Sequence, residues 1–135
     1  MKYRFIDALN NFLMTSGRSD LVNSQLDCHS TIQMELNESP AINIDLSTDD
    51  VILWCVLADY EESLLETSSY FLLNQMLTYT SECFQPGQPA LSIVNDQLVL
   101  TAFIKEAAIN EPLLFSSSLE EFFERGRQFR TLLIS

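Results

Sequence analysis

With 135 residues, 47% hydrophobic and 19% charged, the chain has enough apolar material for one ordinary core, so disorder is excluded and residues 1–135 are expected to form a single domain. The formal net charge of −12 is unevenly placed: Ser19 through Ile104 hold thirteen acidic residues and no lysine or arginine. So negative a stretch repels phosphates and argues against nucleic-acid binding; it suits a basic or aggregation-prone protein partner, unless it serves solubility alone.

The first predicted element is a helix over Lys2–Ser16, where Phe5, Ile6, Leu9, Phe12 and Leu13 recur at three- and four-residue steps before Gly17. Phe5, Leu9 and Phe12 share one line, which either packs on a sheet or forms part of a groove for a partner's apolar side chains. Arg18–Ser30 is polar and turn-rich, a connection. The period then falls to two: Ile32, Met34 and Leu36 alternate with polar residues, and Ile42, Ile44 and Leu46 repeat the pattern after Asn37–Pro40. Two half-buried strands joined as a hairpin follow from this. Val51–Leu57 is apolar throughout, as in a strand covered on both faces, and completes a meander; Trp54 within it reads as a core residue.

Glu61–Phe84 is again helical in pattern, with Leu65, Leu72, Met76, Tyr79 and Cys83 on one stripe and Tyr70, Leu73, Leu77 and Phe84 on another, about 110° away. A surface helix usually needs one such face. The second is explained either by deep burial or by contact with another copy of the chain. Gln85–Pro89 ends the helix. Leu91–Val94 and Leu98–Ile104 form a second hairpin around Asn95-Asp96, which tolerate the positive φ of a primed turn. Phe115, Leu119, Phe122, Phe129 and Leu133 mark a final helix, with Pro112 near its start and a capping box at Ser118–Glu121. The fold class is therefore α+β, an antiparallel sheet with helices in the order α-β-β-β-α-β-β-α.

No reactive constellation accompanies this pattern, and no catalytic residue, metal ligand or cofactor is assigned. Cys28, Cys55 and Cys83 are odd in number and widely spaced, which suits reduced cytosolic thiols better than zinc or redox motifs. The lone His29 adjoins Cys28, but neighbours on an extended chain point to opposite sides and make a poor dyad. Asp45, Asp49, Asp50, Asp59, Glu61 and Glu62 lack the glycine and terminal glutamate of a calcium loop and read as a solvated acidic face. The longest apolar run, Val51–Ala58, is far short of a membrane span.

Three blocks, Leu26-Asp27-Cys28-His29-Ser30-Thr31-Ile32, Pro40-Ala41-Ile42-Asn43-Ile44 and Val51-Ile52-Leu53-Trp54, resemble the InvB/SpaK family of class IB type III secretion chaperones. The tail Phe115-x-x-x-Leu119-x-x-Phe122-Phe123 is similar to that family's last helix, whereas 78–93 carries little that matches, and Cys28 stands where the pattern has serine. The resemblance implies a non-enzymatic homodimer in the bacterial cytoplasm, joined through the middle helix, here by Leu65, Ser69, Leu72, Met76 and Tyr79. It also implies binding of an extended segment near the N-terminus of secreted effector proteins, with Phe5, Leu9 and Phe12 as contacts, and delivery to the type III secretion ATPase. The competing expectations are an acidic inhibitor or nucleic-acid mimic that binds a basic protein and, more weakly, a carboxylate-dependent hydrolase.

Overall fold

The computed structural model describes residues 2–15, 31–34, 41–46 and 50–134. They form α1 (Lys2–Thr15), β1 (Thr31–Met34), β2 (Ile42–Asp45), β3 (Ile52–Asp59), α2 (Glu62–Thr78), β4 (Ala90–Val94), β5 (Gln97–Phe103), α3 (Glu106–Asn110) and α4 (Pro112–Ile134). The predicted order holds, with the short α3 added before the last helix. The expected connection at Arg18–Ser30, and with it Cys28 and His29, lies outside the described residues.

All five strands join one antiparallel sheet in the order β1-β2-β3-β5-β4. The meander β1-β2-β3 is as predicted, and the β4–β5 hairpin places β5 beside β3 and leaves β4 at the edge. Asn95 and Asp96 connect the hairpin with φ values of 51° and 61°, the two consecutive left-handed residues of a type I′ turn. Along β3 the pleat divides the apolar run: Leu53, Cys55 and Leu57 are buried on the helix side, while Ile52, Trp54 and Val56 remain half-buried on the other. An all-apolar strand was expected to be covered on both faces. Instead α4 packs on one face, and Trp54 lies outside the core cluster, lining a shallow outer pocket of about 240 Å³.

The core is built where α4, with α1 and α3 packed beside it, meets the inner face of the sheet. Phe5, Phe84, Phe115, Phe122 and Phe129 are its largest fully buried side chains. Phe5 meets Phe115 edge-on at 5.5 Å between ring centres, and Phe84 meets Phe122 at 6.3 Å; such contacts add about 0.5–1.5 kcal/mol each beyond area burial. Helix α4 approaches the sheet closely at Gly126, where an added Cβ would sit 3.3 Å from the Cys55 sulfur. Gly126→Ala gains helix propensity of about 1 kcal/mol but overpacks the core at a cost of about 1–3 kcal/mol. Denaturant unfolding should show a net loss for the single variant and a gain when Gly126→Ala is made in a Cys55→Ala background.

Two predicted boundaries move. The middle helix was expected to reach Phe84, yet α2 stops at Thr78, and Tyr79 is already extended with ψ 132°. Tertiary pairing overrides the helical period there: Phe84 bridges Ile104, Gln85 N–H donates to the Phe103 carbonyl at 3.0 Å, and the Phe84 ring enters the core. The capping box at Ser118 is also displaced. The last helix begins at Pro112, which lacks only an N–H that the first turn leaves unused, so Ser118 lies in the interior and its hydroxyl donates back to the Phe115 carbonyl at 2.7 Å.

Candidate binding surfaces

Besides the outer face of the sheet around Trp54, two apolar surfaces stand out among the described residues. The first is a groove of about 680 Å³ between α1 and the α3–α4 corner, lined by Ala8, Phe12, Ile109, Pro112, Leu113 and Phe115, with Asp7 and Asn11 among its polar residues. The helical period of α1 creates it. Phe5, Ile6 and Leu9 turn inward, and Phe12, one turn further on, is only half-buried, its ring edge-on to Phe115 at 6.1 Å. Opposite, Leu113 is 78% exposed on the first turn of α4. Of the neighbours Leu113 and Leu114, the second joins the core and the first is left in water. The groove therefore offers aliphatic and aromatic walls to a hydrophobic side chain, with the Ser116 hydroxyl among its polar lining groups.

The second surface is the outward side of α2. Ser68 and Leu72 are the buried residues of this helix, and Leu64, Leu65 and Met76 pack against the core from a half-buried position. On the opposite side Tyr70, Phe71, Leu73 and Leu77 are 74, 54, 60 and 74% exposed, and the Tyr70 and Phe71 rings sit edge-on at 5.7 Å. Leaving four large apolar side chains of one helix in water is costly, and patches of this kind mark interaction sites. Their neighbourhood is acidic, with exposed Glu61, Glu62 and Glu66 on the first turns and no basic residue anywhere in the helix.

The inner side of α2 is tied down by polar groups at its end. Arg125 of α4, 5% exposed, sits over the Tyr79 ring with its guanidinium carbon 3.9 Å from the ring centre, and its Nη1 donates to Gln75 Oε1 at 2.7 Å. Tyr79 donates to Glu121 Oε2 at 3.1 Å, and the Ser81 hydroxyl donates to the same oxygen. Burial, reinforced by the Glu121 charge and hydrogen bond, pushes the Tyr79 phenol up to about 12. Burial likewise pushes the Cys55 thiol up to about 12, so at neutral pH this sulfur is a protonated, unreactive core atom.

The sequence-predicted contacts are therefore redistributed. Phe5 is 0% and Leu9 1% exposed, so both belong to the core and cannot touch a partner without unfolding; Phe12 alone of that line reaches a groove. Among the expected subunit contacts, Leu72 is 5% exposed and lies in the core cluster, Leu65 and Met76 pack beside it, and Tyr79 is held by Arg125 and Glu121. Only Ser69 is exposed. The pattern gave two stripes without saying which faced inward, and the free one carries Tyr70, Leu73 and Leu77. Arg125 was missed, although its position was informative: it stands three residues after Phe122 and four before Phe129, inside the apolar stripe of α4.

Among the described residues no three His, Cys, Asp or Glu side chains gather as metal ligands, and no helix is long and apolar enough to cross a membrane.

This α+β arrangement of helices on an antiparallel sheet is the fold of type III secretion chaperones. One solved structure of this fold is a chain of the heterodimeric ExoU–SpcU complex from the type III secretion system of Pseudomonas aeruginosa, with a TM-score of 0.61 and 18% identity over 93% of this chain and 98% of that one. A chain of the ExsC–ExsE complex matches with a TM-score of 0.62 and 14% identity over 95% of both. In sequence, the pattern of the Invasion protein B family matches residues 17–95, more than half of the chain. The surface presentation of antigens protein SpaK of Salmonella typhimurium strain LT2 is 28% identical over 119 residues, 87% of this chain and 86% of SpaK, and the Salmonella typhi protein matches equally. The chain belongs to the Invasion protein B family, the InvB/SpaK group of type III secretion chaperones.

Proposed function

We propose that this protein acts as a homodimer in the bacterial cytoplasm, holds segments of secreted effector proteins in a non-globular, soluble form, and presents them to the ATPase of the type III secretion apparatus. The observation that carries this reading is surplus apolar surface on a family member: the outward stripe of α2 suits a sister subunit, and the α1–α4 groove suits a client side chain. Each well-buried aliphatic anchor contributes about 1.5–3 kcal/mol, so a few are enough to offset the ordering of a flexible client segment, with no nucleotide needed. The acidic stretch from Ser19 to Ile104 adds long-range attraction for clients with basic flanks.

Co-expression with candidate effectors and co-purification tests the reading. A complex with two copies of this chain per effector, stable through a wash at about 1 M salt, where the screening length is only about 3 Å, is the expected result. Loss of the client in that wash would favour the acidic inhibitor instead, because purely electrostatic capture is screened. Failure to retain any effector would overturn the proposal.

A further inference from the structure

Helix α2 is held by its own subunit on a narrow front. It packs on α4, through an apolar contact centred on Leu72. Apolar burial is non-directional, so such a contact resists separation more than it resists tilting or sliding. Angle-dependent contacts are concentrated at the helix end, and α4 provides them from Glu121, Arg125 and Phe129, spaced four residues apart on one face.

Arg125 is the centre of this set. One guanidinium nitrogen donates to the Gln75 side chain at 2.7 Å and to Gln128 at 3.4 Å, and the other reaches the Gln75 main-chain carbonyl at 3.4 Å. The same carbonyl closes the last turn of α2 by accepting from Tyr79 N–H at 3.2 Å. The planar group is sandwiched, 3.9 Å from the Tyr79 ring centre and 4.7 Å from that of Phe129, and Glu121 fixes Tyr79 from its hydroxyl end. A rigid fork that must meet a side chain, a carbonyl and two rings at once accepts one helix position only.

The arrangement is a poor source of stability. Arg125 Nε is buried with no hydrogen-bond partner, and burial disfavours the charged form of this side chain. Replacing Arg125 by an apolar side chain of similar volume removes the buried charge and its orphaned Nε but leaves the Gln75 acceptors without this donor, so the effects on folding oppose one another. What the guanidinium supplies that a thioether cannot is orientation.

We infer that Arg125 is the positioning residue of the subunit interface: by locking Gln75 and Tyr79 it fixes the angle at which α2 presents Tyr70, Phe71, Leu73 and Leu77. The inference rests on the proposed homodimer for its consequence, but not for its geometry.

Arg125→Met and Arg125→Lys test it. Methionine keeps the apolar stem and removes every hydrogen bond, whereas lysine keeps the charge and cannot span both Gln75 atoms. The methionine variant should melt within a few degrees of the wild type, while its dimer dissociation constant by analytical ultracentrifugation rises by roughly tenfold or more, because a helix free to tilt presents its apolar side chains in the matching orientation only part of the time. Lysine should restore part of that affinity. In monomers made by Leu73→Asp with Leu77→Asp, Arg125→Met should also speed hydrogen exchange of the Tyr79 amide by roughly tenfold through local opening, with the amides in the centre of α4 unchanged. Wild-type dimer affinity in Arg125→Met overturns the inference, as does unchanged Tyr79 exchange in the monomer. A wild-type chain that never dimerises counts against the dimer instead, and faster Tyr79 exchange in that chain upholds the clamp.

Discussion

On the proposed homodimer, a chain carrying Leu73→Asp and Leu77→Asp should sediment as a monomer at concentrations where the wild type self-associates, with a melting temperature close to that of the wild-type subunit. Both side chains are more than half exposed, at 60% and 74%, so the isolated subunit loses little; exposed substitutions of this kind usually change stability by no more than about 0.5 kcal/mol. In the dimer each removed leucine forfeits about 1.5–3 kcal/mol of burial. The aspartates must in addition be desolvated against an acidic sister surface, which carries Glu61, Glu62 and Glu66 on the same helix. At about 1.4 kcal/mol per decade of affinity, the pair should weaken association by about a thousandfold or more. Leu72→Asp gives the opposite picture. That residue is 5% exposed inside its own subunit, and an unpaired charge there unfolds the chain instead of dividing the dimer. A dimer that persists in the double variant with undiminished affinity would sink the assignment of this face.

The contrast between neighbours Leu72 and Leu73 marks where the sequence stopped being informative. Periodicity resolved α1, β1 and β2 because the sequence of each sets apolar positions against polar ones, and the β4–β5 hairpin because the backbone demand of its turn pair Asn95-Asp96 is local. Helix α2 is apolar on both sides, so the period locates two stripes but gives no sign to choose between them. The choice was made by α4, from residues about fifty positions away, and Gln75 with Arg125 is the visible part of that decision. Long-range pairing also cut α2 short, since the strand-like contact of Phe84 with Ile104 outweighs a helical pattern that continues through Cys83. For β3 the error was one of layers: an apolar run shows that both sides of a strand are greasy, not that both are covered. The groove was half legible. Phe12 belonged to a recognised line, whereas Leu113 becomes a wall only because Pro112 starts α4 and turns Leu114 inward.

Leu113→Glu should lower client affinity by about a hundredfold while leaving both the fold and the dimer unchanged. At 78% exposure the side chain contributes almost nothing to the folded subunit, so whatever the substitution changes lies in what the groove holds. A client aliphatic group seated against Phe12, Pro112 and Leu113 loses about 1.5–3 kcal/mol of burial when one wall becomes ionised, and the carboxylate stands near Asp7 on the opposite side of the groove, which deepens the loss for any apolar anchor. Leu9→Ala provides the control from the core side of α1, the helix that forms the facing wall: the residue is 1% exposed, and its truncation should cost about 2–5 kcal/mol of stability while each molecule that remains folded binds its client normally. Isothermal titration of a purified effector segment, run beside thermal unfolding, separates the two variants. If Leu113→Glu binds as tightly as the wild type, the client is held elsewhere; if it binds weakly only because it melts early, the groove is structural. The physical distinction is that a wall facing water can be altered without disturbing what lies beneath it, and Leu113 is the most exposed large apolar residue among those described.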